Sequence, residues 1–125
     1  MEITLNHTIV PAYDKVKSAK WYEKIFGFEF LKVWEDFAVL KVNSTLTLDF
    51  RDKEKFSKMH YAFKVSDKQF DEIFKRIKEE GVVYGSGPYK LDDGKTNNHY
   101  GGRGVYFRDE NGHILEILTK DYVID

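Results

Sequence analysis

Two imidazoles and one carboxylate stand out as a set: His7, His60 and Glu116. Glu116 lies in the run His113-Ile114-Leu115-Glu116-Ile117-Leu118, an acid in an otherwise apolar strand pattern. Burying such a charge is costly without a cation or a hydrogen-bond donor beside it. Two imidazoles and a carboxylate, with coordination positions left open, suit Fe(II), Mn, Co, Ni or Zn. The open positions let a substrate bind through two adjacent oxygens, with the metal acting as a Lewis acid or bringing O2 beside the substrate. Taken singly, each of the three is more often a strand residue with a local partner. Their matched positions make the case.

Other groups could join them. Asp49 is a candidate fourth ligand, a group orienting an imidazole, a base, or an ion-pair partner. Tyr106 is a candidate pocket or catalytic residue. His99 and Arg103 are candidate substrate-binding groups at the end of a long loop, where Arg103 could grip a carboxylate or phosphate. His113 follows Asn111-Gly112 and reads as a turn and strand-start residue. No Ser/His/Asp arrangement, Walker loop or G-x-G-x-x-G is present.

The elements that must position these residues follow from periodicity. A strand is expected over 3–10, ended by Pro11. Asp14 caps a helix that Gly27 stops in a left-handed residue. Strands are expected over 28–33, 37–42 and 45–50, with a tight turn at Asn43-Ser44. In the last of these, Thr45, Thr47 and Asp49 share a polar face, which suggests a wet cavity beside it. The charged segment 51–58 reads as a linker. A strand at 59–65 follows. Ser66 or Asp67 then caps a helix in which Phe70, Ile73, Phe74 and Ile77 keep helical spacing. Gly81 ends it. Strands close the chain at 82–84, 104–108 and 113–119, with a turn at 109–112 and a long loop at 85–102.

The order strand, helix, three strands thus occurs twice, and the register supports a repeat. His60 lies 53 positions after His7, and Asp67 lies 53 after Asp14. Gly81 lies 54 after Gly27, and Glu116 lies 67 after Asp49, the long loop absorbing the difference. Each half puts a His in its first strand and an acid in its last. Halves paired with approximate two-fold symmetry would gather the four side chains on one axis, inside an open cavity lined by sheets.

Composition sets the outer bounds. The 125 residues fit one domain, with module one at about 1–54 and module two at about 55–125. Aromatics make up 16%, enough to line a ligand pocket as well as a core. A formal net charge of -1 gives no electrostatic footprint for nucleic acid or a membrane surface. The absence of cysteine excludes disulfides and thiol nucleophiles. No leader pattern or run of roughly 20 apolar residues is visible, so a soluble, cytoplasmic protein is expected.

Leu5-Asn6-His7, the run from Trp21 to Phe28, His60-Tyr61-Ala62-Phe63 and the run from Gly104 to Glu116 resemble the vicinal oxygen chelate superfamily. That superfamily holds glyoxalase I, extradiol dioxygenases, fosfomycin-resistance thiol transferases, methylmalonyl-CoA epimerase and bleomycin-resistance proteins. The resemblance spans almost the whole chain. It implies an α+β fold of two βαβββ modules, whose mixed sheets form an open half-barrel around a metal-lined cavity. It implies His7, His60 and Glu116 as the ligands of a divalent metal (Fe, Mn, Zn, Ni or Co). It also implies a homodimer in which His7 of one chain can join His60 and Glu116 of the other. Asp49 stands where the glyoxalase I branch usually has Glu, a departure that argues against glyoxalase I activity. His60-Tyr61-Ala62-Phe63 is similar to the fosfomycin-resistance branch, but Asn97 to Arg103 replaces that branch's Ser-rich substrate loop.

The leading expectation is therefore a metalloenzyme of the glyoxalase/dioxygenase type (lyase, isomerase, transferase or dioxygenase) acting on a small oxygenated substrate. The alternative is a metal-free protein binding a flat or aromatic small molecule, of the antibiotic-sequestering type. A third reading is a structural or interaction module.

Overall fold

The computed structural model describes residues 2–124. The chain divides into two compact units, Met1–Ser57 and Lys58–Asp125. Each is a βαβββ module with its own open, mixed four-stranded sheet, so the fold is α+β as expected. No helix among the described residues is long and apolar enough to cross a membrane.

In the first unit, β1 (His7–Ala12) leads to α1 (Lys15–Phe26), then β2 (Glu29–Trp34), β3 (Phe37–Lys41) and β4 (Thr47–Asp52). The sheet order is β1-β4-β3-β2, with β1 parallel to β4 and the other pairs antiparallel. Asp14 caps α1 by accepting from the Lys17 N–H at 3.1 Å. Gly27, at φ 80°, ends the helix in the left-handed conformation that side chains resist. Ser18, Ala19, Tyr22, Ile25 and Phe26 form the buried stripe of α1. They face the alternate residues of the sheet, Val10, Ala12, Ala38, Leu40, Leu48 and Phe50, all essentially inaccessible. The other sheet face is thereby left to His7, Ile9, Val39, Thr47 and Asp49.

Two expectations need correction here. Pro11 does not end the first strand, which starts later, at His7, and runs on to Ala12. An edge strand tolerates proline because its missing N–H can face away from the ladder, and β1 is such an edge. The segment read as a linker begins too early, since Arg51 and Asp52 still pair with Pro11 and Ala12. The Asn43 turn is as read: its side-chain oxygen accepts from the N–H groups of Thr45 and Leu46 at 2.9 and 3.0 Å.

The second unit repeats the plan with β5 (His60–Lys64), α2 (Asp67–Glu79), β6 (Tyr84–Gly85), β7 (Gly104–Arg108) and β8 (Ile114–Leu118). The order is β5-β8-β7-β6, again with the first and last strands parallel. Ser66 and Gln69 form a reciprocal capping box at the start of α2. The helix buries Phe70, Ile73 and Ile77. Val105, Phe107, Leu115 and Ile117 complete the buried set on β7 and β8. Asp109 organises the β7–β8 turn by accepting from the N–H groups of Asn111 (2.9 Å) and His113 (2.8 Å). His113 is fully buried and accepts from the Met59 N–H through Nδ1 at 2.9 Å, the structural role expected of it.

Candidate functional site

Strand register decides which side chains meet. In the second unit Ala62, Glu116 and Tyr106 lie in one row across β5, β8 and β7. His60 sits two residues before Ala62 and so shares that face. The His60 ring reaches diagonally along the sheet, and its Nε2 lies 3.1 Å from Glu116 Oε1. The Tyr106 ring lies nearly parallel to the imidazole, 6.0 Å between centroids, and limits its swing. The Glu116 side chain is only 4% exposed and the His60 side chain 46%, so the pair has a dry end and a wet end.

The second carboxylate oxygen has a different partner. Tyr122 donates its hydroxyl to Glu116 Oε2 at 2.5 Å. The Tyr106 hydroxyl lies 2.8 Å from that of Tyr122. The one Tyr122 proton is committed to the acid, so Tyr106 is the donor in this contact. Burial, and then the adjacent Glu116 carboxylate, push the Tyr122 phenol well above its ordinary value. Tyr106 is raised too, chiefly by burial. Both therefore act as neutral hydroxyl donors rather than phenolates. Among the described residues, no Lys or Arg pairs with Glu116, which holds its place with an imidazole and a phenol alone.

In the first unit the same face of the sheet carries His7 and Ile9 on β1 with Thr47 and Asp49 on β4. His7 Nδ1 is 2.7 Å from the Asn6 side-chain oxygen. A carbonyl oxygen can only accept, so Nδ1 carries a proton, and in the neutral ring Nε2 keeps the lone pair a metal needs. Asp49 accepts from the Thr47 hydroxyl at 2.9 Å. His7 and Asp49 line a groove of about 490 Å³ whose apolar wall is Leu31, Trp34 and Val39. Thr47 and Asp49, on the polar face of this strand, thus border the groove.

Among the described residues, no three His, Cys, Asp or Glu side chains gather closely enough to hold a metal ion. The structure brings His60 and Glu116 together in one unit and places His7 beside Asp49 in the other. The donor chemistry nonetheless fits a divalent cation. In the second unit a buried carboxylate with an imidazole nitrogen against one oxygen, and in the first an imidazole at the groove, are donors of the expected kind.

The loop candidates stand elsewhere. His99 is exposed in a short 3-10 turn, His99–Gly101, with its ring edge-on to Tyr100. Arg103 donates to Asp71 Oδ1 (2.7 Å), Asp67 Oδ1 (3.2 Å) and the Asp67 carbonyl (2.9 Å). Its guanidinium also lies 4.4 Å from the centre of Phe70. Arg103 thus clamps the first turn of α2. Sequence reasoning missed Tyr122 entirely. Its only signal was a tyrosine six positions after the strand acid, and no spacing rule gives that meaning.

The chain belongs to the Glyoxalase/Bleomycin resistance protein/Dioxygenase superfamily, whose family model matches residues 4–117. Among curated proteins it resembles the Metallothiol transferase FosB of Lysinibacillus sphaericus (strain C3-41), 27% identical over 93% of this chain and 82% of that one. The FosB of Shouchella clausii (strain KSM-K16) is 28% identical over 92% of this chain and 79% of that one. Among solved structures, Oxidase ChaP-H2 superposes with a TM-score of 0.93 at 44% identity, covering 98% of this chain and 97% of that one. Oxidase ChaP-H1 gives 0.90 at 42% identity, covering 96% and 98%. The fosfomycin resistance protein FosX from Mesorhizobium loti, at 20% identity and a TM-score of 0.72 over 97% of this chain and 95% of that one, shares the fold.

Proposed function

We propose that this chain is a metal-dependent enzyme that binds a small oxygenated substrate through two adjacent oxygens and oxidises it, with O2 as the electron acceptor. The carrying observation is Glu116: a carboxylate 3% exposed, with no Lys or Arg partner among the described residues and with an imidazole nitrogen 3.1 Å from one oxygen. A desolvated acid in that setting is stabilised by a bound cation. His7, His60 and Glu116 are the proposed ligands of a divalent metal (Fe, Mn, Zn, Ni or Co). His7 would come from one copy of a homodimer and His60 with Glu116 from the other. Each unit on its own supplies only part of that set, His7 in the first and His60 with Glu116 in the second. The similarity to two oxidases at 42% and 44% identity favours oxidation over the thiol transfer of the more distant FosB relatives.

A metal held by His7, His60 and Glu116 would supply Lewis acidity towards the paired substrate oxygens. The chain's own groups do the rest. The Leu31, Trp34 and Val39 wall holds the apolar part of the substrate and excludes water from it. Asp49, on the same face as His7, takes a substrate proton as the base. Tyr106, stacked near His60, keeps the imidazole in its orientation and presents a neutral hydroxyl beside the site.

Elemental analysis of the purified protein is the test. Wild type should carry close to one divalent metal per chain, and His7→Ala or Glu116→Ala should lose it while the fold survives. Equal occupancy in all three proteins would sink the reading. A second reading, a metal-free small-molecule binder, is favoured by the exposed indole and leucine in the groove. It predicts no metal after gentle purification and no effect of chelator on melting.

A further inference from the structure

The segment after β8 is tied down at three points. Thr119 donates its N–H to the Arg103 carbonyl at 3.0 Å and accepts the Arg103 N–H through its hydroxyl at 2.8 Å. The chain then bends at 119–120. Asp121 meets Lys64 at 3.0 Å on β5, the strand that carries His60. The next residue, Tyr122, turns its hydroxyl onto Glu116 Oε2 at 2.5 Å. Its ring rests on that of Tyr100, 5.2 Å between centroids. Tyr100 itself is a non-glycine residue held at φ 57° in the loop. Such a residue is held in place by its surroundings.

The two oxygens of Glu116 are therefore not equivalent. Oε1 faces His60 Nε2, and Oε2 is occupied by Tyr122. We propose that Tyr122 is a positioning residue for the metal carboxylate: it holds Oε2 so that Glu116 offers a single oxygen, Oε1, to the cation it shares with His60. Tyr106 supports it one step back, donating to the Tyr122 hydroxyl, and Tyr100 holds its ring. This rests on the metal reading above and adds the reason why a tail residue contacts the site. Groups that hydrogen-bond a ligating carboxylate fix its orientation and mode of binding. Without Tyr122, Glu116 is free to rotate or to swing towards two-oxygen ligation.

The test is Co(II) titration of wild type and Tyr122→Phe, followed by visible absorption and by chelator competition, together with melting of both metal-free proteins. The substitution removes a part-buried hydroxyl that donates to a buried carboxylate, but it keeps the ring on Tyr100, so the metal-free variant should fold and melt modestly below wild type. Co(II) binding should weaken by about 10- to 100-fold in the variant, the usual effect of losing such a contact. The Co(II) bands should shift as the carboxylate changes its mode of binding. Tyr106→Phe should weaken Co(II) less, because it acts through Tyr122. Equal or tighter Co(II) binding by Tyr122→Phe with unchanged bands overturns this inference alone. Failure of wild type to bind Co(II) at all overturns the metal reading and this inference with it. Should Tyr122→Phe fail to fold, a Lys64→Ala variant, which loosens the tail through Asp121 alone, should still shift the bands, and unshifted bands there count against the proposal.

Discussion

Asp49 and Glu116 hold the same place in their respective sheets. Each pairs with the residue two positions after a histidine: Ile9 opposite Asp49 following His7, and Ala62 opposite Glu116 following His60. The surroundings differ. Glu116 is buried against an imidazole and a phenol, whereas Asp49 borders a groove and accepts from Thr47. A carboxylate one methylene shorter, already turned to a threonine hydroxyl, is better placed as a base than as a ligand. Asp49→Ala should therefore keep wild-type metal content, where Glu116→Ala loses it. Turnover should fall about 10²- to 10⁴-fold with the loss of a general base. Metal analysis alongside rate measurement on one substrate separates the roles: loss of metal in Asp49→Ala would make Asp49 a ligand.

A pH-dependent contribution to stability follows from the Arg103 clamp. The hydrogen bond from Arg103, and then its charge, hold the Asp71 carboxyl below its usual range. A depressed acid contributes stability above its unfolded value of about 3.9, and that contribution is lost as pH falls through the lower folded value. Asp71→Asn should thus melt below wild type at pH 7. The gap should shrink below about pH 4 and close once the wild-type carboxyl is protonated. A gap that stays constant into acid would show that Asp71 acts through packing rather than charge. Asp71 is solvent-exposed and Arg103 only half-buried, so the neutral-pH difference should be small.

Much of this architecture was legible in the chain, because period-2 and helical patterns report which face is buried. The α2 stripe of Phe70, Ile73 and Ile77, the Asp14 and Ser66 caps and the Gly27 stop all lie where the spacing puts them. Pro11 misled because proline's cost depends on whether its strand is an edge, and sheet order is not local information. The same limit hid Tyr122 and the acidic partners of Arg103. Tyr122 and Arg103 find their partners through contacts 6 to 36 residues away, set by a bend and by a helix cap rather than by any period. The residues of the proposed site were readable because the repeat doubles the signal for His60 and Glu116.

Phe107 tests the core of the second unit. It is fully buried on β7, opposite Leu115 on β8. Phe107→Ala removes most of that ring and leaves a void that close-packed neighbours fill only in part. The expected cost is about 3–5 kcal/mol, measured by urea unfolding. That is a large share of the roughly 5–15 kcal/mol that holds a typical domain together. A cost below about 1 kcal/mol would mean that the unit repacks freely around the gap.

Trp34 gives the groove an optical reporter. The chain has two tryptophans, and Trp34 is 53% exposed on the apolar wall beside His7 and Asp49. Catechol carries two adjacent oxygens on a flat ring, so it matches both the wall and the proposed ligation. Titration with catechol should quench the fluorescence of wild type and of Trp21→Phe, and Trp34→Phe should lose the response. Stripping the metal then separates the two functional readings. For a metalloenzyme, chelation should weaken catechol binding at least about tenfold, or about 1.4 kcal/mol. For a metal-free binder, the affinity should be the same before and after. Quenching that survives in Trp34→Phe and disappears in Trp21→Phe would move ligand binding away from this groove altogether.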